Sequence, residues 1–250
     1  METQSHLTLK DTLSVGDEYK EHWVVTGAGS GIGRELVTRL VKKQYQVTAC
    51  VQNEEQQAIL ESQLNCDDNE LSVAVLDSRD LETAHSIAAR SNDPVDVLIA
   101  CAAVFDGQHS VRDLNFSQAL DTFSINTFGP LRAIQAYLQR LLRSNNPRVA
   151  LVSSIYGSMS AEDATVSTNI AYRASKSALN KLVQGIATDL RRDGVTVIAL
   201  EPGWVKTSMG GPNAPLTVHE SVSGIIQTIQ ALTINESGNF IDYKFEEIQW

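Results

Sequence analysis

Trp23-Val24-Val25-Thr26-Gly27-Ala28-Gly29-Ser30-Gly31-Ile32-Gly33 is the stretch whose reading decides the fold. A short apolar run reads as a strand, and a glycine cluster follows it at once. Arg34–Lys43 then carries helical periodicity. Glycine in such a turn permits a tight bend and a close approach of backbone to a pyrophosphate. The first turn of the helix adds free N–H groups and the positive end of its dipole. The spacing is T-G-x-x-x-G-x-G, because Arg34 stands where G-x-G-x-x-G would need its last glycine. A glycine turn by itself also suits a plain strand–helix connection. Its place after the first strand favours a dinucleotide site, with Gly27, Ser30, Gly31, Ile32 and Gly33 around the phosphates.

Outward from this turn the chain alternates. Further strands are expected at Gln46–Val51, Leu71–Leu76, Val95–Ala102, Arg148–Ser153, Val195–Leu200 and Asn239–Tyr243. Long helices are expected at Gln118–Arg143 and Ala171–Arg192, the second stopped by Asp193-Gly194. Near-continuous apolar strands between helices imply a parallel sheet covered on both faces. The predicted fold is α/β: a Rossmann-type doubly wound parallel sheet in a single domain over residues 22–250. Residues 1–21 are polar and read as an N-terminal extension, partly disordered or lying on the surface. Ligands of such sheets bind at the carboxyl ends of the strands.

Composition narrows the function classes. The chain has 250 residues, 42% hydrophobic and 20% charged, which suits a packed core. Its formal net charge of −10 repels phosphate backbones and anionic bilayers, so neither nucleic acid nor membrane is an expected partner. Cys50, Cys66 and Cys101 have no disulfide or zinc spacing. No apolar run reaches the ~18 residues that span a bilayer, and the N-terminus has no signal-peptide pattern. A reducing cytoplasm fits these features.

Two further places carry chemistry. At the end of the second strand a carboxylate would select NAD and an arginine NADP. Ala49-Cys50-Val51-Gln52-Asn53 has neither, and without a carboxylate nothing repels a 2′-phosphate, which tips the reading of the NAD(P) cofactor toward NADP(H). Asp77, closing the third strand, is placed to accept from an adenine amino group or to cap the next helix. The fifth strand ends in Ser153-Ser154, and Tyr172-Arg173-Ala174-Ser175-Lys176 follows. Positions i and i+4 share a helix face, so Lys176 is expected to hold positive charge beside the Tyr172 hydroxyl and lower its pKa. That would make Tyr172 a general acid for carbonyl reduction and a base for alcohol oxidation. Ser154 would hydrogen-bond the substrate oxygen. A hydrolase is disfavoured, since Ser154 is in no G-x-S-x-G elbow. His6, His22, His85, His109 and His219 lack metal-type spacing.

Together these residues resemble the classical short-chain dehydrogenase/reductase family. The glycine turn, Ser154, Y-x-x-x-K and Pro202-Gly203 fall in that family's order from about Trp23 to the C-terminus. The branch most similar is that of C-factor and sniffer-like carbonyl reductases, through Tyr172–Asn180, Pro202–Thr207, Gly210–Leu216 and Ile248–Trp250. The resemblance implies that Tyr172 is the acid/base and that Lys176 also binds the nicotinamide ribose. It implies that Asn126 holds a water in a proton relay to the lysine, and that Thr207 binds the carboxamide within a loop shaped by Pro202, Gly203 and Val205. Ala102 would lie beside the cofactor. Two departures stand out. Ala100-Cys101-Ala102-Ala103 replaces Asn-Asn-Ala-Gly, and the interval from Ser154 to Tyr172 is longer, so that Ser160–Thr168 looks like an inserted loop.

The expected function is therefore hydride transfer between a nicotinamide and a carbonyl or alcohol substrate. The alternative is a cofactor-binding signalling protein with little turnover, which would have no need of Asn126, Ser154, Tyr172 and Lys176 together. A lyase or dehalogenase on this scaffold would drop Lys176 or the cofactor glycines. Met159, Trp204, Met209 and Gly210–Pro215 are expected around an apolar substrate, unless Trp204 and Met209 only pack their loop. A homo-oligomer, dimer or tetramer, through the two long helices is the resemblance's expectation for assembly.

Overall fold

The computed structural model describes residues 19–64, 70–107, 109–161 and 168–250. The strands are β1 (His22–Thr26), β2 (Gln46–Val51), β3 (Leu71–Val75), β4 (Val97–Ala100), β5 (Arg148–Val152), β6 (Thr196–Glu201) and β7 (Phe240–Asp242). They form one sheet in the order β3-β2-β1-β4-β5-β6-β7, every pair parallel. Strand order reverses between β1 and β4, where a doubly wound sheet opens a crevice at its carboxyl edge. The expected Rossmann-type fold is the one observed.

Two-sided burial explains the apolar strands. Trp23 and Val25 of β1 face an apolar layer made with α1 (Gly31–Lys42), α2 (Glu54–Leu64) and α7 (Val218–Ala231), through Leu36, Leu40, Leu60, Ile225 and Ile229. Val24, between them, faces the other way. It joins Ile87 of α3 (Leu81–Ala88), Tyr137 of α5 (Gly129–Leu141), and Leu179 and Val183 of α6 (Ile170–Leu190). Each full burial of such a side chain contributes about 1.5–3 kcal/mol, so period-2 alternation along β1 holds both helical layers to the sheet.

Several elements differ from the sequence reading. Helix α1 starts at Gly31 instead of Arg34, which brings Gly31, Ile32 and Gly33 into its first turn. Strand β4 is confined to Val97–Ala100. Helices α2 and α7 had no counterpart in that reading, and α3 was expected only as a helix after Asp77, without bounds; Leu60 is the buried residue of α2, so no apolar stripe marks it. The helix expected at Gln118–Arg143 is divided into α4 (Phe116–Phe123), a π-turn (Ser124–Phe128) and α5. Pro130 sits in the first turn of α5. It has no N–H to give to the carbonyl four residues back, at Asn126, so a regular α-ladder cannot run through this point.

The amino edge of the sheet is closed by polar contacts. Residues 1–18 of the expected extension lie outside the described residues, as do Cys66 and residues 162–167 of the expected inserted loop. Tyr19 donates from its hydroxyl to Asp96 at 2.6 and 2.7 Å, and Glu21 pairs with the buried Arg148. Asp96 also accepts from the His22 amide at 2.8 Å and from the Ser144 hydroxyl. The buried His22 ring lies between Thr48, 2.9 Å away, and Arg140, 3.0 Å away. Burial and the Arg140 charge push its pKa down to about 4. Asp96→Ala would leave three donors, one of them buried main chain, without their acceptor. It is expected to lower unfolding stability in denaturant titration by about 2–4 kcal/mol.

Candidate active site

A cleft of about 300 Å³ opens at the carboxyl edge, lined from the glycine turn on one side to Tyr172, Lys176, Pro202 and Thr207 on the other. The turn is built by contacts that only glycine allows. Gly27 has φ +68, and a Cβ there would lie 2.6 Å from the Ala102 amide nitrogen. At Gly33 a Cβ would fall 2.2 Å from the Gly27 carbonyl oxygen. Ser30 is the N-cap of α1 but makes no side-chain cap, so the first-turn amides keep their donors for a ligand. Arg34 folds back, donating from Nη2 and Nε to the Gly29 carbonyl at 2.7 and 3.1 Å, and so braces the turn.

These residues fit a dinucleotide: a glycine cradle, uncapped helix amides and an elongated cleft. Gln56 adds a feature the sequence reading missed. Its Oε1 accepts from the Gln52 amide at 3.0 Å, and it sits 1.9 Å from where a Gly29 Cβ would be. Unforeseen α2 carries it, so no periodic signal marked it. Gln52, Ser78 and Arg79 line the same end. Asp77 lines the cleft too, but its carboxylate is forked with the Arg79 guanidinium at 2.8–3.2 Å, which draws its pKa down. The cap of α3 is Asp80, not Asp77.

At the other end, β5 and α6 position the chemical groups. Lys176 is 1% exposed, and its Nζ donates to the Val152 carbonyl at 2.8 Å. Tyr172, one turn earlier, is 8% exposed, with its ring centroid 5.8 Å from that Nζ. Phe105 and Tyr156 meet the Tyr172 ring edge-on, at 5.3 and 6.4 Å. Ser154 opens a short 3-10 turn (Ile155–Gly157) and accepts from the Tyr156 amide at 3.2 Å. Ser153 reaches Asn180 on α6 at 2.6 Å and lines the cleft. Gly157 was not foreseen; a Cβ there would lie 2.9 Å from the Lys176 carbonyl carbon, so its absence lets the Ser154 turn seat on α6.

Burial controls the electrostatics here. The sequence reading expects Lys176 to lower the Tyr172 pKa. Instead burial pushes Tyr172 up to about 12, and the Ser154 hydroxyl offsets this only in part. Burial likewise pulls Lys176 down to about 8, with the Glu201 charge opposing it. Both shifts have one origin: taking a charge out of water disfavours phenolate and ammonium alike.

Asn126, fully buried in the π-turn, accepts from the Val104 amide at 2.8 Å and donates to the Val104 carbonyl at 2.9 Å. Its other amide hydrogen goes to Ser175, at 3.2 Å. It thereby ties the chain leaving β4 to α6 between Tyr172 and Lys176. Cys101 and Ala103, in the altered segment, line the cleft, and burial pushes the Cys101 thiol up to about 12. Among the C-terminal loop residues, Thr207 lies across from the glycine turn, its Cγ2 3.2 Å from where a Gly31 Cβ would be. Gly203 has φ +82, and Val205 is buried behind the loop. Met209 lines the cleft, whereas Met159 and Trp204 stand exposed outside it. Trp204 donates to the Gly210 carbonyl at 2.8 Å and packs its own loop.

Comparison with known proteins agrees with this geometry. Residues 21–215 match the family described as short chain dehydrogenase, and the chain belongs to that family of oxidoreductases. It is 43% identical over 157 residues to the C-signal protein of Myxococcus xanthus, covering 63% of this chain and 93% of that one. The structure of carbonyl reductase Sniffer of D. melanogaster superposes with a TM-score of 0.86 at 28% identity, over 93% of this chain and all of that one (100%). An NADPH-bound carbonyl reductase from chicken fatty liver gives 0.84 at 26% identity, over 92% and 99%.

The glycine contacts set a direct expectation. Gly33→Ala drives a methyl group into the Gly27 carbonyl, and overpacking of this kind costs about 1–3 kcal/mol. Dinucleotide affinity, followed by nicotinamide fluorescence, should fall about tenfold or more.

Proposed function

We infer that the chain reduces a carbonyl compound with a nicotinamide cofactor, and oxidises the corresponding alcohol in reverse. One observation carries this reading: Tyr172 and Lys176, both buried, stand across one cleft from an uncapped helix N-terminus. Gly27, Ser30, Gly31, Ile32 and Gly33 would hold the pyrophosphate, with Ala102 against the turn. Asp77 would meet the adenine once Arg79 gives way. Lys176 and Tyr172 would bind the ribose, and Thr207 the carboxamide, on a loop shaped by Pro202, Gly203 and Val205. Bound there, the nicotinamide supplies hydride when reduced and takes it up when oxidised.

The chain's own groups handle the proton. Ser154 would hold the substrate oxygen, and Tyr172 would deliver its phenolic proton to that oxygen. A phenol kept neutral by burial is in the correct form to donate at neutral pH. The Lys176 ammonium stabilises the phenolate that remains. Asn126 would support the return of the proton by fixing the chain around Lys176.

NADPH is the favoured cofactor. The end of β2 presents Gln52 and Asn53, with no carboxylate to repel a 2′-phosphate, and Arg79 offers a cation on the same wall. Phe105, Tyr156 and Met209 beside the reacting end favour an apolar carbonyl substrate. The apolar side chains Phe116, Leu120 and Phe128, exposed along α4 and its π-turn, support a homo-oligomer. Free Cys50 and Cys101 support a reducing cytoplasm. Among the described residues no helix is long and apolar enough to cross a membrane.

Purified protein is expected to bind NADPH more tightly than NADH in parallel fluorescence titrations. Tyr172→Phe should cut carbonyl-dependent NADPH oxidation by about 10²–10⁴-fold while leaving NADPH affinity nearly intact. Undiminished turnover in that variant would remove Tyr172 from the mechanism.

A further inference from the structure

Glu201 is the last residue of β6 and is 8% exposed. Such burial is rare for a carboxylate without a partnered charge. Its Oε1 accepts from the Gly203 amide at 2.9 Å. The Oε2 is buried and closes no hydrogen bond, although the Ile155 amide also faces the carboxylate. The residue before it, Leu200, pairs with Val152, whose carbonyl holds the Lys176 ammonium. The carboxylate thus stands one residue beyond the β5–β6 rung whose Val152 carbonyl holds the α6 ammonium, with no direct ion pair between the two among the described contacts.

We propose that Glu201 is a positioning residue for carbonyl reduction: its buried charge, acting across the ladder, keeps both Lys176 and Tyr172 protonated. This rests on the reduction reading above. A negative charge raises the pKa of every group near it, and both groups must be protonated for Tyr172 to act as the acid.

Five titratable groups face the Glu201 carboxylate or its partners. Lys176 and Tyr172 come from α6, Cys101 from the segment after β4, Tyr156 from the turn after β5, and Asp242 from β7. Cys101 is held neutral by burial. Asp242 accepts from the Lys244 and Glu246 amides at 2.8 and 2.9 Å. Among the described residues, that leaves Glu201 as the anion that opposes the desolvation of Lys176. Burial pushes Glu201 itself up to about 7, so its charge is present only in the upper part of the working range.

Glu201→Gln removes the charge while keeping an oxygen for the Gly203 amide. Full-length wild type and variant are compared over a pH series from acid to alkaline. Two linked shifts are expected. A carboxyl whose pKa is raised from 4.5 to about 7 binds more protons folded than unfolded in that window, so it lowers stability as pH rises. The variant should therefore gain melting temperature relative to wild type between those pH values. The comparison is a difference because His22, with its pKa pushed down, gives an opposite slope common to both proteins. In addition, the alkaline limb of kcat/KM for reduction should move down by about one pH unit, since Lys176 and Tyr172 both lose their protons more readily. Coincident alkaline limbs would overturn the proposal.

A wild type that turns over no carbonyl would sink the reduction reading alone. The alkaline limb of NADPH affinity then replaces that of kcat/KM, and coincidence there overturns the Glu201 role. Glu201→Asp keeps the charge and should keep the wild-type limb. A shift in the aspartate variant as large as that in the glutamine variant would show that side-chain length, not charge, matters, and would also overturn it.

Discussion

Everything at the carboxyl edge depends on how closely the chain leaving β1 approaches the chain leaving β4. Gly27 and the Ala102 backbone are so near that a single methyl group would not fit between them. This contact lies where strand order reverses, and the two departing loops form the walls of the cleft. Gly33 repeats the constraint one turn into α1, where the helix rests on the Gly27 carbonyl. The helix N-terminus is consequently held against the sheet, and its unfilled amides face the same space as Tyr172 and Lys176. A few missing Cβ atoms thus determine how the N-terminus of α1 stands relative to Tyr172 and Lys176 across the cleft.

The second theme is the cost of burying polar groups. Lys176, Tyr172 and Glu201 are all nearly enclosed, and each has its pKa moved toward the neutral form. A conventional structural core would dispense with such groups, since desolvation is seldom recovered in full. Their concentration at one strand edge is therefore informative about function. The polar network at the opposite edge, around Asp96, His22 and Arg140, is different. Its members are satisfied by one another, by Tyr19, Thr48 and Ser144, and by backbone.

Between the two edges the π-turn links fold to site. Pro130 cannot continue an α-ladder through Asn126, and the local widening places the Asn126 amide against Val104 and Ser175. Bulges of this type recur at functional positions because they re-aim a side chain without ending the helix. The same asparagine bridges Val104, the residue that follows the altered Ala100–Ala103 segment, to Ser175 of α6.

The sequence by itself determined the alternation of strands and helices, the glycine turn and the Tyr172–Lys176 pair. These are legible because apolar periodicity, missing side chains and i, i+4 spacing are local properties of a chain. Helices α2 and α7 escaped notice for different reasons: the first buries little, whereas the second does carry local signals, the Thr217–Glu220 capping box and apolar Val222, Ile225, Ile226 and Ile229 at helical spacing. Gln56, Gly157 and Glu201 were not marked out either: beside local bonds, Gln56 meets the Gly29 turn, Gly157 the Lys176 backbone and Glu201 the Lys176 charge, all distant in sequence. The sign of the Tyr172 shift was also decided only by the tertiary structure. Spacing reports that an ammonium is near, but burial depends on every layer around the phenol, and here desolvation sets the direction of the shift.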